Sequence, residues 1–114
     1  MVLYDLNREA LEKSVAQMFG FIQKLEDKGK LETGVTESAR ARLTLATGVA
    51  DFARCEAVIE AIIERLEPKQ ALFAELEAIV AEDALLASNT SSLSIAAIAK
   101  NCGNKARVCG LHFF

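Results

Sequence analysis

The sequence has no tryptophan and only one proline, one tyrosine and one histidine among its 114 residues. So few prolines leave few forced helix stops. Cys55, Cys102 and Cys109 form no Cys-x-x-Cys pair and have no histidine cluster near them, which argues against a zinc site. Three cysteines at this density also exclude a disulfide-stapled scaffold; they fit reduced thiols packed as small apolar side chains. No run approaches the ~18 consecutive apolar residues of a membrane-spanning helix. An excess of positive charge is missing too. Thirteen Lys and Arg against sixteen Asp and Glu give a net charge of −3, which argues against general nucleic-acid binding. The opening residues MVLYDLN carry no basic-then-apolar leader, so the expected compartment is cytoplasmic. What is present is an ordinary soluble composition, 52% hydrophobic and 25% charged, rich in Ala, Leu and Glu. It excludes a disordered or low-complexity chain and predicts a single helix-rich domain.

Residues 2–5 form a short β-prone run ending in Asp5. Leu11, Val15, Met18, Ile22 and Leu25 then share one helical stripe, with Asn7 as its cap and Lys28-Gly29-Lys30 as its end. A second helix is expected from Thr36 to about Arg42, and a strand over 43–47. Val49–Ala53 reads as a turn. Residues 57–62 read as a buried strand whose continuous apolar character suits a parallel sheet covered on both faces. Pro68 fits the first turn of the next helix, which carries Leu72, Phe73, Leu76, Ile79 and Val80 at helical spacing. A strand over 84–88, the polar turn Asn89-Thr90-Ser91-Ser92, a small helix from Ser94 to Lys100 and a strand over 107–113 complete the order. Such alternation predicts an α/β fold with a mainly parallel sheet, whose ligands bind beyond the carboxyl ends of the strands.

The polar residues at those ends are therefore the ones to weigh. Asp5 fits an acid that accepts hydrogen bonds from an adenosine ribose and repels a 2′-phosphate, or one that merely caps a helix. The Gly-x-Gly-x-x-Gly run that should precede such an acid occurs nowhere in the sequence. His112 is either a proton-transfer group or a satisfied core histidine. Ser91 is either a donor to a substrate oxygen or part of a hydroxyl-capped turn. Glu64 and Lys69 fit a solvated helix face, and Lys24, Lys28 and Lys30 either a phosphate-binding patch or a helix end complementing its dipole.

Four stretches together narrow these choices. Val-Leu-Tyr-Asp5, the run Val58-Ile59-Glu60-Ala61-Ile62-Ile63-Glu64-Arg65-Leu66-Glu67-Pro68-Lys69, the run Ala87-Ser88-Asn89-Thr90-Ser91-Ser92-Leu93-Ser94-Ile95, and Gly110-Leu111-His112-Phe113-Phe114 closely resemble the L-3-hydroxyacyl-CoA dehydrogenases of the 3-hydroxybutyryl-CoA dehydrogenase type. The resemblance implies a Rossmann-type NAD-binding domain that oxidises the 3-hydroxyl of an acyl-CoA to a ketone in fatty acid or related metabolism. His112 matches the general base, and a glutamate downstream in the family orients it. Ser91 matches the serine that contacts the substrate oxygen and the nicotinamide region. Asp5 matches the ribose-binding acid, Glu64 and Lys69 match residues lining the NAD site, and Lys28 matches a lysine contacting CoA. Phe21 stands where some relatives place a CoA-contacting serine. Relative to the family, the first strand and its Gly-rich loop are missing. The C-terminal helical dimerisation domain, through which the complete enzyme is a homo-oligomer, is absent. Residues 1–114 are thus expected to be a partial NAD-binding domain, inactive alone, with any targeting segment left open. A non-catalytic structural or assembly protein keeping the fold is the alternative.

Overall fold

The computed structural model describes residues 1–113; Phe114, the last residue of the Gly-Leu-His-Phe-Phe run, lies outside the described residues. The chain forms two compact units, Met1–Gly48 and Val49–Phe114.

In the first unit, β1 (Val2–Leu3) and β2 (Thr44–Leu45) pair in parallel, Val2 opposite Thr44 and Leu3 opposite Leu45. Both strands are shorter than expected, for identifiable reasons. The Asn7 N–H donates to Asp5 Oδ1 at 2.7 Å, which bends the chain out of its extended path. Leu43 N–H donates to Arg40 O at 3.1 Å and so still belongs to the last turn of the preceding helix.

Between them, α1 (Arg8–Asp27) starts and stops on chemistry visible in the sequence. Asn7 Oδ1 accepts from Ala10 N–H at 3.0 Å, as an N-cap should. At the other end Gly29 takes φ +66°, Lys30 N–H donates to Leu25 O, and Gly29 N–H donates to Glu26 O. This pair of bonds is a Schellman motif, which a left-handed glycine makes inexpensive. The expected stripe is present, but the most buried residue of α1 is Phe19, which stands outside it and has the Arg40 guanidinium 4.4 Å from its ring centroid. Helix α2 (Val35–Ala41) has no side chain at its cap, Gly34. Glu26 serves instead, accepting from Gly34 N–H at 2.7 Å and Thr36 N–H at 2.9 Å. Gly20 is exposed inside α1 with no atom within 4 Å of where a Cβ would stand. Gly20→Ala is therefore expected to stabilise the chain by about 0.5–1 kcal/mol, read by urea unfolding.

The second unit holds β3 (Ala57–Glu60), β4 (Leu85–Ser88) and β5 (Val108–Gly110) in the order β3-β4-β5, all parallel. Helices α3 (Leu66–Ile79) and α4 (Ile95–Ile98) pack on one face of the sheet, where Phe73, Leu76 and Ile98 meet Val58 and Leu86. Pro68 stands in the first turn of α3, as expected. Arg107 donates to the carbonyls of Glu77 and Ala81 at the end of α3, while Glu77 accepts from Gly103 and Asn104 N–H. These bonds fasten the long connection into β5.

The expected α/β architecture is thus present, with three corrections. The five strands form two parallel sheets, not one. The apolar run in β3 is not covered on both faces: Val58 and Glu60 are buried, but Ile59 is 50% exposed, and Leu85, which pairs with Ala57 on β4, is 41% exposed. The last strand also stops at Gly110, short of the expected 113.

Candidate active site

Parallel strands deliver their carboxyl ends to one edge, and in the second unit that edge is polar. Glu60 is the last residue of β3 and pairs in register with Ser88, the last of β4. A carboxylate ending an otherwise apolar strand must find partners or lose its charge. It finds several. Lys69 Nζ donates to Glu60 Oε1 at 2.6 Å, Ile62 N–H donates to the same oxygen at 2.6 Å, and Ser88 Oγ donates to Oε2 at 2.6 Å. The side chains of Glu60 and Lys69 are each 1% exposed.

Lys69 also lies 3.3 Å from Glu64 Oε2 and 3.4 Å from Ile62 O. An ammonium has three protons, and these three acceptors account for them. Glu64 then reaches the loop after β4. Its Oε1 accepts from the hydroxyl of Thr90, from Ser91 N–H at 3.1 Å, and from the N–H and hydroxyl of Ser92 at 3.3 Å. Thr90 N–H in turn donates to Ser88 Oγ at 3.2 Å, and Leu93 N–H donates to Thr90 Oγ1 at 3.0 Å. One continuous network thus joins β3, α3, β4 and the turn that carries Ser91. Ser91 is anchored by its backbone and its side chain is exposed.

The segment after β5 is fastened to the same edge. Leu111 N–H donates to Ser88 O at 2.9 Å, and Phe113 N–H donates to Asn89 Oδ1 at 2.8 Å. His112 lies between these two bonds and is exposed, past the strand end rather than within it. Of the expected site residues, Ser91, Glu64, Lys69 and His112 therefore share one sheet edge. Asp5 and Lys28 belong to the first unit, exposed at opposite ends of α1 and separated by about 30 Å of helix. Phe21 is 63% exposed on that helix. A shallow cavity beside Cys55, Glu56 and Ala84 opens at the amino ends of β3 and β4, the wrong end of a parallel sheet for a ligand. No helix of the described residues is long and apolar enough to cross a membrane.

The hydrogen bond from Thr90, followed by Lys69 and the N–H groups of Ser91 and Ser92, holds the Glu64 carboxyl down at about 2, from an ordinary 4.5. Backbone donors also lower Glu26 (Gly34 first) and Glu77 (Asn104 first). All three remain ionised in the folded chain at pH values where the unfolded chain binds protons. Stability is then full above about pH 4.5 and falls as the pH drops toward 2. Glu64→Gln is expected to flatten that fall, measured by urea unfolding at a series of pH values.

The whole chain, residues 1–114, matches the family model of the 3-hydroxyacyl-CoA dehydrogenase NAD-binding domain. It belongs to that family. It is 41% identical over 114 residues to 3-hydroxyadipyl-CoA dehydrogenase of Escherichia coli, covering all of this chain and 24% of that protein. A probable 3-hydroxybutyryl-CoA dehydrogenase of Deinococcus radiodurans is 39% identical over 99% of this chain and 40% of its own length. A crystal structure of 3-hydroxybutyryl-CoA dehydrogenase from Escherichia coli superposes with a TM-score of 0.94 at 42% identity, over 99% of this chain and 24% of that one. The chain spans about a quarter to two fifths of these dehydrogenases. Within the family, the feature that sequence reasoning missed is Glu60. Its signal was there: an acid at the end of an apolar strand, nine residues before a lysine in the first turns of the next helix.

Proposed function

We propose that these residues form the catalytic edge and part of the NAD site of an enzyme oxidising (S)-3-hydroxyacyl-CoA to 3-oxoacyl-CoA. What carries this reading is that the turn with Ser91 and the segment with His112 meet at the carboxyl ends of β4 and β5, tied by Asn89. His112, exposed and held on both sides by backbone bonds, takes the proton of the substrate's 3-hydroxyl. The Ser91 hydroxyl, left outside the bond that anchors its loop, donates to the substrate oxygen and orients it. NAD, when bound, supplies the hydride acceptor. Lys28, exposed at the end of α1, contacts the CoA moiety.

The residues present fit part of NAD. Asp5 offers an exposed carboxylate shortly after a strand end, with one oxygen committed to Asn7 N–H and a second to accept from ribose hydroxyls. Glu64 presents a carboxylate that stays ionised over the whole physiological range. Lys69 lines the site from beneath, contributing its charge through Glu64. No Gly-x-Gly-x-x-Gly run exists in residues 1–114 to cradle a pyrophosphate with backbone N–H groups. The 114 residues are a partial NAD-binding domain on this reading, and the helical domain that would make the enzyme a homo-oligomer lies outside them.

Two outcomes follow. The 114-residue chain shows no NAD-dependent oxidation of 3-hydroxybutyryl-CoA; measurable turnover would contradict this account. Titrated with NADH and followed by fluorescence, it binds weakly, and Asp5→Ala or Glu64→Ala removes that binding. Binding indifferent to both substitutions overturns the cofactor assignment.

A further inference from the structure

We infer that Glu60 is the positioning residue of this site: its two carboxylate oxygens hold Lys69 on one side and Ser88 on the other, and so set the turn that carries Ser91. The inference rests on the proposed function only in calling that turn part of the active site. The geometry itself comes from hydrogen bonds. Glu60 Oε1 accepts from Lys69 Nζ and Ile62 N–H, and Oε2 accepts from Ser88 Oγ. From these partners two arms lead to the same turn. One runs through Lys69 to Glu64, which accepts from Thr90, Ser91 and Ser92. The other runs through Ser88, whose Oγ accepts from Thr90 N–H and whose carbonyl accepts from Leu111 N–H, one residue before His112.

This arrangement needs a carboxylate. Ser88 spends its one hydroxyl proton on Glu60, which leaves its oxygen free to accept from Thr90. Lys69, buried with its protons shared among three acceptors, lacks a direction of its own once its shortest bond is lost. Neither Asp nor Gln substitutes: Asp falls short of Lys69 by a methylene, and Gln offers one accepting oxygen where two are used. Glu60 touches neither substrate nor cofactor on this account and acts wholly through Lys69 and Ser88.

The test reads the turn in the 114-residue chain without any ligand. In Glu60→Gln, the amide ¹⁵N and ¹H shifts of Thr90, Ser91 and Ser92 move, and their hydrogen exchange speeds up by roughly tenfold. The core substitution Leu76→Val, chosen because it weakens the fold without touching these groups, leaves those shifts in place. Shifts and exchange at Thr90–Ser92 that are unchanged in folded Glu60→Gln overturn the inference, as do equal changes in Leu76→Val. Should Glu60→Gln not fold, Glu60→Gln with Lys69→Met strands no charge and is read in the same way: a released turn supports the assignment, an unmoved turn overturns it. Because no cofactor enters the measurement, its failure is distinct from failure of the NAD reading, which the NADH titration decides.

Discussion

In a dehydrogenase completed around these residues, His112→Ala is expected to lower kcat by about 10²–10⁴-fold while moving the KM for the acyl-CoA only slightly. That range is what a positioned general base contributes. The split follows from the geometry. His112 sits on a segment whose path is fixed by Ser88 O and Asn89 Oδ1, through the N–H groups of Leu111 and Phe113. Removing the imidazole therefore leaves these two backbone bonds in place while taking away the proposed proton acceptor. Asn89→Ala makes the complementary change. It keeps the imidazole and releases one of the two bonds that aim it, so kcat falls by a smaller factor. Steady-state kinetics with 3-hydroxybutyryl-CoA measure both. A His112→Ala enzyme within a few-fold of its parent would remove the general-base role.

The largest effect on stability is expected at Lys69. Its ammonium and the Glu60 carboxylate are buried as a pair, each side chain 1% exposed. Lys69→Met leaves Glu60 charged, buried and short of its nearest cation. Breaking a buried pair from one side costs about 3–5 kcal/mol, a large share of the roughly 5–15 kcal/mol that holds a domain together. Adding Glu60→Gln to Lys69→Met returns much of that loss, since no buried charge then remains. Urea unfolding of the two variants reads the difference. Equal stability of Lys69→Met and the parent chain would mean that the pair is not sealed from water.

Much of this was legible in the residues because local rules and the fold agree. Asn7 before an amphipathic stripe, Gly29 after it and Pro68 in a first turn each act where their chemistry requires. The Ser-Asn-Thr-Ser-Ser turn and the Gly-Leu-His-Phe-Phe run point to the family, and the sheet brings that turn and residues 110–113 to one edge. The misses share one cause, which is that they depend on contacts distant in sequence. Nothing in the sequence singles out Glu26, yet it caps the next helix by reaching Gly34 and Thr36. Lys69 read as surface because lysine is seldom buried, and its burial becomes sensible only with Glu60 beneath it. The lengths of β1, β3 and β5 were overestimated because β-prone side chains continue past the last ladder bond. The side chains of Asp5, Glu60 and Asn89 take the N–H groups of Asn7, Ile62 and Phe113 there, and the chain leaves its extended path.

The proposed catalytic edge is best tested inside a complete enzyme. The direct measurement replaces the matching segment of the Escherichia coli 3-hydroxybutyryl-CoA dehydrogenase with residues 1–114 and assays NAD-dependent oxidation of 3-hydroxybutyryl-CoA. Turnover in the chimera, abolished by His112→Ala, is the expected result. A folded chimera that binds NADH and shows no turnover, or turnover that survives His112→Ala, would contradict it.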